Sequence, residues 1–245
     1  DLNGDERLHP LRVGFPVCDT VGGLNAAFSI MAALFHREKT GEGQFIDVAL
    51  LDSIMPMMGW VVANLMIGNQ KPVPMGNDNF TAAPSGVFRT KDGYINIAAN
   101  KQEQWEMLAD LLELSHLKDD PRFKERDTRK SNRYELTPLL EEKLIQKNTD
   151  EWVELFNNND IPSGAILELD TAVNSPQIKH RKTFSTVSVD GIGEVPLFNL
   201  TAKFNKTPGK IINPPPKLSE HTREILIKLG YTEEEILNLK SQGII

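Results

Sequence analysis

Asp19 closes a short apolar run, Val13-Gly-Phe-Pro-Val-Cys-Asp19, and stands three residues ahead of a glycine pair, Gly22-Gly23. A carboxylate at a helix start is favoured by the backbone dipole. The two glycines leave no side chains beside it, so another backbone or a ligand can come close. Two roles fit this pattern. One is helix capping, the ordinary use of an aspartate in this position. The other is that of a carboxylate left accessible to a ligand by the glycines that follow. Cys18 is a potential nucleophile, but no neighbouring His or cation marks its thiol as activated.

The second stretch of interest is Lys71-Pro-Val-Pro-Met-Gly-Asn-Asp-Asn-Phe-Thr-Ala-Ala-Pro84. It breaks all periodicity and reads as a long loop, either a linker or a lid over a ligand. Gly76, Asn77, Asp78, Asn79 and Phe80 are its candidate site residues, with one aromatic ring among small polar groups. His9, His36, His116, His180 and His221 are scattered, and no Cys/His cluster has metal-ligand spacing, so no metal site is expected. Gly41 and Gly43 follow a helix, whereas a dinucleotide fingerprint follows a strand and opens a helix.

These groups need elements to hold them. Residues 13–17 predict a short strand and residues 20–39 a helix apolar on nearly every face, hence buried. A glycine turn leads to Phe45-Ile-Asp-Val-Ala49, read as a strand. Residues 50–67, rich in Met, read as a core or subunit-interface helix. A hairpin follows over 86–99, then helices over 101–114, 133–146 and 150–158, with a cap at Thr149-Asp-Glu-Trp152. A strand over 161–167 and a helix over 171–182 come next. Strands over 186–189, 193–196 and 200–204, a Pro214-Pro-Pro216 connector and two surface helices complete the chain. Residues 1–10 read as an extended connector.

Composition narrows the classes. The net charge of −7 and the lack of a basic stretch argue against nucleic acid as a partner. A single cysteine in 245 residues excludes an internal disulfide and suits a reducing, cytoplasmic setting. No segment is read as long and apolar enough to span a membrane. The longest candidate, 50–67, is interrupted by Asp52, Pro56 and Asn64.

Four motifs in order resemble the class III CoA-transferase family, also called CaiB/BaiF. They are Val13-Gly-Phe-Pro-Val-Cys-Asp19 with its glycine pair and helix, and the turn Thr40-Gly-Glu-Gly-Gln44 with the segment after it. The hairpin Gly86-Val-Phe-Arg-Thr-Lys-Asp-Gly-Tyr94 is the third. Pro214-Pro-Pro-Lys-Leu-Ser-Glu-His-Thr222 with Leu229-Gly-Tyr231 and Gly243-Ile-Ile245 is the last. The resemblance implies an α/β fold: part of a Rossmann-like large domain plus a smaller α/β domain, in an interlocked homodimer. Residues 1–70 would belong to the large CoA-binding domain, 71–84 to the linker or lid, 85–175 to the small domain, and 176–245 to the return to the large one. The family pattern also implies a preceding segment of about 150 residues, the size of an ordinary domain.

By the same resemblance Asp19 is the nucleophile of an acyl-CoA:carboxylic acid CoA-transferase working through an aspartyl-CoA thioester. Gly22 and Gly23 would face the cofactor portion. Coenzyme A and acyl-CoA are implied as substrates, with a small carboxylic acid as acceptor and no permanently bound cofactor. A second branch of the family racemises 2-methylacyl-CoA, with the matching aspartate as acid/base beside a histidine. A third reading is a non-catalytic fragment that needs a partner chain. The single glycine in Gly76-Asn-Asp-Asn-Phe80 departs from the glycine run of formyl-type members and argues against that subtype.

Overall fold

The computed structural model describes residues 2–5, 7, 8 and 10–245. The expectations touching Asp1, Glu6 and His9 lie outside the described residues. The chain divides into two compact units, Asp1–Ile166 and Leu167–Ile245.

The first unit does not begin as an extended connector. The amide of Leu11 donates to Asn3 O at 3.2 Å, so the chain turns back on itself. The strand expected over 13–17 is also absent. Pro16, at φ −76°, takes the N-cap position, and α1 (Val17–Thr40) starts at once. Proline's fixed φ suits a helix start, and a strand without a neighbour has no ladder to join. Gly41 in the left-handed conformation ends α1, its amide donating to Arg37 O at 2.8 Å.

The helix is not buried, contrary to its composition. Gly22 is its only buried residue, while Leu24, Phe28, Met31 and Phe35 are exposed. By length and composition α1 is long and apolar enough to cross a membrane, which corrects the expectation that no segment is. One face nevertheless meets protein. Asn25 Nδ2 donates to Ser53 Oγ at 3.1 Å on α2 (Leu50–Ile54).

Residues 45–49 form no strand, and they have no partner strand among the described residues. The single helix expected over 50–67 is broken. Pro56 has no N–H to donate, and Gly59 takes φ 45°. The result is α2, a 3-10 turn Pro56–Met58 and α3 (Trp60–Met66).

Then comes a three-stranded antiparallel sheet in the order β1-β2-β3, formed by β1 (Ser85–Arg89), β2 (Tyr94–Ala98) and β3 (Ser163–Ala165). Phe88 pairs with Ile95, and Asn96 with Gly164. Ile95 and Ile97 are buried while Tyr94 and Asn96 are exposed, so one face of the sheet packs on a core. That core draws on α4 (Gln102–Leu111), α6 (Arg133–Leu144) and α7 (Thr149–Asn157), with α5 (Arg126–Ser131) ahead of α6. Trp105 and Leu108, Leu136 and Leu140, and Trp152 and Phe156 recur at helical spacing, and all lie in one cluster running from Phe88 to Ile161. The α7 cap is one residue earlier than expected: the Asn148 amide donates to Glu151 Oε2 at 2.9 Å.

The second unit holds α8 (Leu169–Val173), α9 (Pro176–His180), the hairpin β4 (Phe184–Val189) and β5 (Gly193–Phe198), α10 (Thr222–Lys228) and α11 (Glu233–Ser241). The helix expected over 171–182 splits because Pro176 cannot donate to a preceding turn. Ser175 caps the second piece. No strand forms over 200–204. The backbone leaves β5 where Asn199 turns inward, its Nδ2 donating to Lys182 O at 2.8 Å. Among the described residues of this unit Ile236 is the only buried hydrophobic side chain. The mixed α/β class expected from the sequence holds.

Candidate functional site

Asp19 lies in the first turn of α1 and is exposed. Four N–H groups at a helix start lack intrahelical acceptors, so negative charge is favoured here. The cap itself is Pro16, whose carbonyl accepts from both the amide and the hydroxyl of Thr20 at 3.0 Å. Asp19 is therefore not the N-cap that its place in the sequence allowed. Gly22 and Gly23 follow at three and four residues, on the same helix face. They differ in role. A Cβ on Gly22 would come within 2.3 Å of Leu50 Cδ2, so this glycine admits α2. A Cβ on Gly23 would meet nothing within 4 Å, so the space at that position is open.

The loop 71–84 is irregular, as expected, but it is tied down. The Gly76 amide donates to Gly4 O at 2.6 Å and the Asn79 amide to Ser85 O at 2.9 Å. Gly76 sits at φ 59°, where glycine is favoured. Asp78 forms a bridge to Gly86, whose missing side chain matters: a Cβ there would lie 2.7 Å from Asn77 O. Burial pushes the Asp78 carboxyl above the ordinary aspartate value, opposed by the charge of Arg133.

Residues 76–80 form part of the wall of a cavity of about 530 Å³, the size of a small-molecule site. Trp60 and Phe80 give it an aromatic side, and their rings stack 5.6 Å apart. Asn64, Asn77, Asn79, Asn96 and Asn100 bring neutral polar groups to the lining, Lys71 a cation and Asp78 a carboxyl. Such a lining suits a polar molecule bearing carbonyl or carboxylate oxygens. Asp19, Gly22 and Gly23 do not line this cavity. The structure thus gathers the five loop residues at one site and places the aspartate with its glycines at another. Trp60, Asn96 and Asn100 escaped the sequence reading. Trp60 carried a signal, as an aromatic beside the Gly59 break, whereas Asn96 and Asn100 sit in and after an ordinary strand.

No group of three or more His, Cys, Asp or Glu side chains could hold a metal among the described residues. The sequence model of CoA-transferase family III matches residues 1–222. This chain belongs to that family. Among curated CoA-transferases it is 31% identical over 245 residues to the human succinyl-CoA:glutarate CoA-transferase, covering 100% of this chain and 56% of that protein. It is 26% identical over 232 residues to the succinate–glutarate CoA-transferase of Agrobacterium fabrum, covering 95% of this chain and 58% of the relative. The chain thus spans little more than half the length of these CoA-transferases. A solved CaiB/BaiF family protein from Brucella suis superposes with a TM-score of 0.79 at 30% identity, over 94% of this chain and 59% of the other. The fold described above therefore corresponds to part of that of class III CoA-transferases.

Proposed function

We propose that the chain serves an acyl-CoA:carboxylic acid CoA-transferase in which Asp19 is the nucleophile. The observation that carries this reading is an exposed carboxylate in the first turn of α1, within a chain of CoA-transferase family III. In the first step an Asp19 oxygen attacks the thioester carbonyl and the CoA thiolate leaves, giving a mixed anhydride. The thiolate then attacks the aspartyl carbonyl, and the first carboxylate departs with the bonding pair. Asp19 is left as an aspartyl-CoA thioester. The acceptor acid repeats both exchanges in reverse order and leaves as its CoA thioester, restoring Asp19. No net hydrolysis occurs, because each anhydride or thioester is traded for another. N–H groups at the start of α1 are suited to the tetrahedral oxyanions.

The names of the relatives, which specify succinyl-CoA, succinate and glutarate, point to a dicarboxylic acid and its CoA thioester as substrates. They favour transfer over the racemase alternative. The cavity beside Phe80, whose wall holds five asparagines and Lys71 together with Asp78, would take the polar end of such an acid. Residues 85–175 serve as the small domain, in keeping with the core between Phe88 and Ile161. A homodimer would cover the exposed apolar side chains of α1, and one cysteine suits the cytoplasm.

The test is trapping. Full-length protein is incubated with succinyl-CoA and hydroxylamine, then digested and mapped by mass spectrometry. A hydroxamate on Asp19 is expected. Exchange of the substrate's α-proton without any adduct would instead establish the racemase, and inactivity of the chain with its natural partner would leave it non-catalytic.

A further inference from the structure

We propose that Arg126, Arg129 and Arg133 are positioning residues that hold residues 79–83 as a fixed wall of the cavity. The three guanidinium groups take alternate carbonyls of one segment. Arg133 Nη1 donates to Asn79 O at 2.6 Å, Arg126 Nη2 to Thr81 O at 3.1 Å, and Arg129 Nε to Ala83 O at 2.7 Å. The segment is not a strand: the backbone bends at Phe80, Thr81 and Ala83, and the Thr81 amide donates to Asn79 Oδ1 at 2.7 Å, so its carbonyls have no ladder of N–H groups to accept from. Arginines from α5 and α6 supply the donors instead.

The burial of two of these groups shows how firmly they are set. Arg129 is 1% exposed and Arg133 7%. Besides Ala83 O, Arg129 donates to Phe123 O at 2.7 Å, Lys124 O at 3.1 Å and Gln102 Oε1 at 3.2 Å, and its guanidinium lies 5.0 Å from the Trp105 ring centroid. Burying a cation is costly unless its donors are met, and here carbonyls, an amide and a ring meet them. Only a planar fork with five donors reaches so many acceptors at once, so lysine is no substitute at 129. Arg133 Nε also donates to Lys130 O at 3.1 Å, and Lys130 Nζ stands 6.0 Å over the Phe80 ring. Asn79, Phe80 and Thr81 line the cavity. The arginines thus fix where the Phe80 ring and the Asn79 carboxamide stand, although none of the three lines the cavity itself.

The functional weight of the wall rests on the CoA-transferase reading, so the experiment has two readouts. Full-length wild type, Arg126→Gln, Arg126→Lys and Arg133→Lys are compared by amide hydrogen exchange and by transfer kinetics. Arg126 is exposed, so its variants are expected to fold. The proposal expects exchange in peptides over 77–84 to quicken by on the order of tenfold in Arg126→Gln, the size of one lost charge-assisted hydrogen bond. The β1–β2 hairpin should exchange as before. KM for the acid should rise several-fold with kcat little changed, and Arg126→Lys should recover part of the loss. Unchanged exchange over 77–84 in both Arg126→Gln and Arg133→Lys overturns the clamp. Faster exchange with unaltered KM overturns the positioning role. If wild-type protein transfers no CoA, the functional reading falls and the exchange result still decides the clamp.

Discussion

Phe80 and Trp60 stack with their centroids 5.6 Å apart and their planes inclined by 20°, joining the irregular loop to α3. A ring pair of this kind contributes about 0.5–1.5 kcal/mol beyond the area it covers. It also forms the aromatic side of the cavity.

Phe80→Ala should therefore act locally. In the full-length protein we expect a rise in KM for the acid substrate and a loss of stability of about 1–3 kcal/mol, low in the range for aromatic truncations because the ring is 37% exposed. Phe80→Tyr should keep both near wild type. Steady-state kinetics and thermal unfolding decide, and equal KM values for Ala and wild type would remove the ring from substrate binding.

Asp19→Asn should separate chemistry from folding. Asp19 is exposed and is not the N-cap of α1, so removing its charge forfeits only a dipole interaction of about 0.3–1 kcal/mol. Transfer should disappear while the circular dichroism spectrum and melting temperature stay close to wild type. Retained transfer would show that another group is the nucleophile.

Asp92 gives an acid-dependent contribution with a definite sign. The Thr149 amide and hydroxyl both donate to Asp92 Oδ1 at 2.8 Å, tying the β1–β2 turn to the start of α7. These bonds, the amide's first, hold the carboxyl below the ordinary 3.8. A lowered native value means stability that is present above 3.8 and lost as pH falls through the native value. Asp92→Asn should thus melt below wild type at pH 6, and the difference should close near pH 2. A gap of the same size at both pH values would refute the assignment.

Gly22 tests the α1–α2 contact. The first methyl placed there meets Leu50 Cδ2, the movable end of a side chain, so Gly22→Ala should be tolerated with a shift of Leu50. Gly22→Val adds bulk that a rotamer change does not clear, and overpacking of this kind costs about 1–3 kcal/mol. Denaturant unfolding of both variants measures the difference. Equal stability for Val and wild type would mean that α2 moves away freely.

The small sheet and its helices were the most legible part of the chain. Ile95 and Ile97 alternate with polar neighbours, and Trp105, Leu108, Leu136 and Leu140 recur at helical spacing, so local pattern and tertiary burial agree. Residues 13–17 and 45–49 misled because apolar alternation identifies a segment able to pair, whereas a strand exists only where a partner lies beside it. For α1 the length was legible and the surroundings were not: an apolar composition says that a face seeks cover, not that cover is present in the chain. The arginines at 126, 129 and 133 went unread for a different reason. In sequence they resemble a solvated charge run, and their acceptors are backbone carbonyls some 45 to 54 residues away, which no side-chain pattern records. Asp19 was singled out through its glycines and family motif, and that it does not line the Phe80 cavity was not foreseeable from spacing.

The exposed face of α1 has a calorimetric consequence. Leu24, Phe28, Met31 and Phe35 order water over apolar surface as the chain stands. Any contact that covers them will lower the heat capacity of the system, and the enthalpy of forming it will become more favourable as temperature rises. Titration at several temperatures would therefore report how much of this helix an assembly covers, independently of whether that assembly turns over substrate.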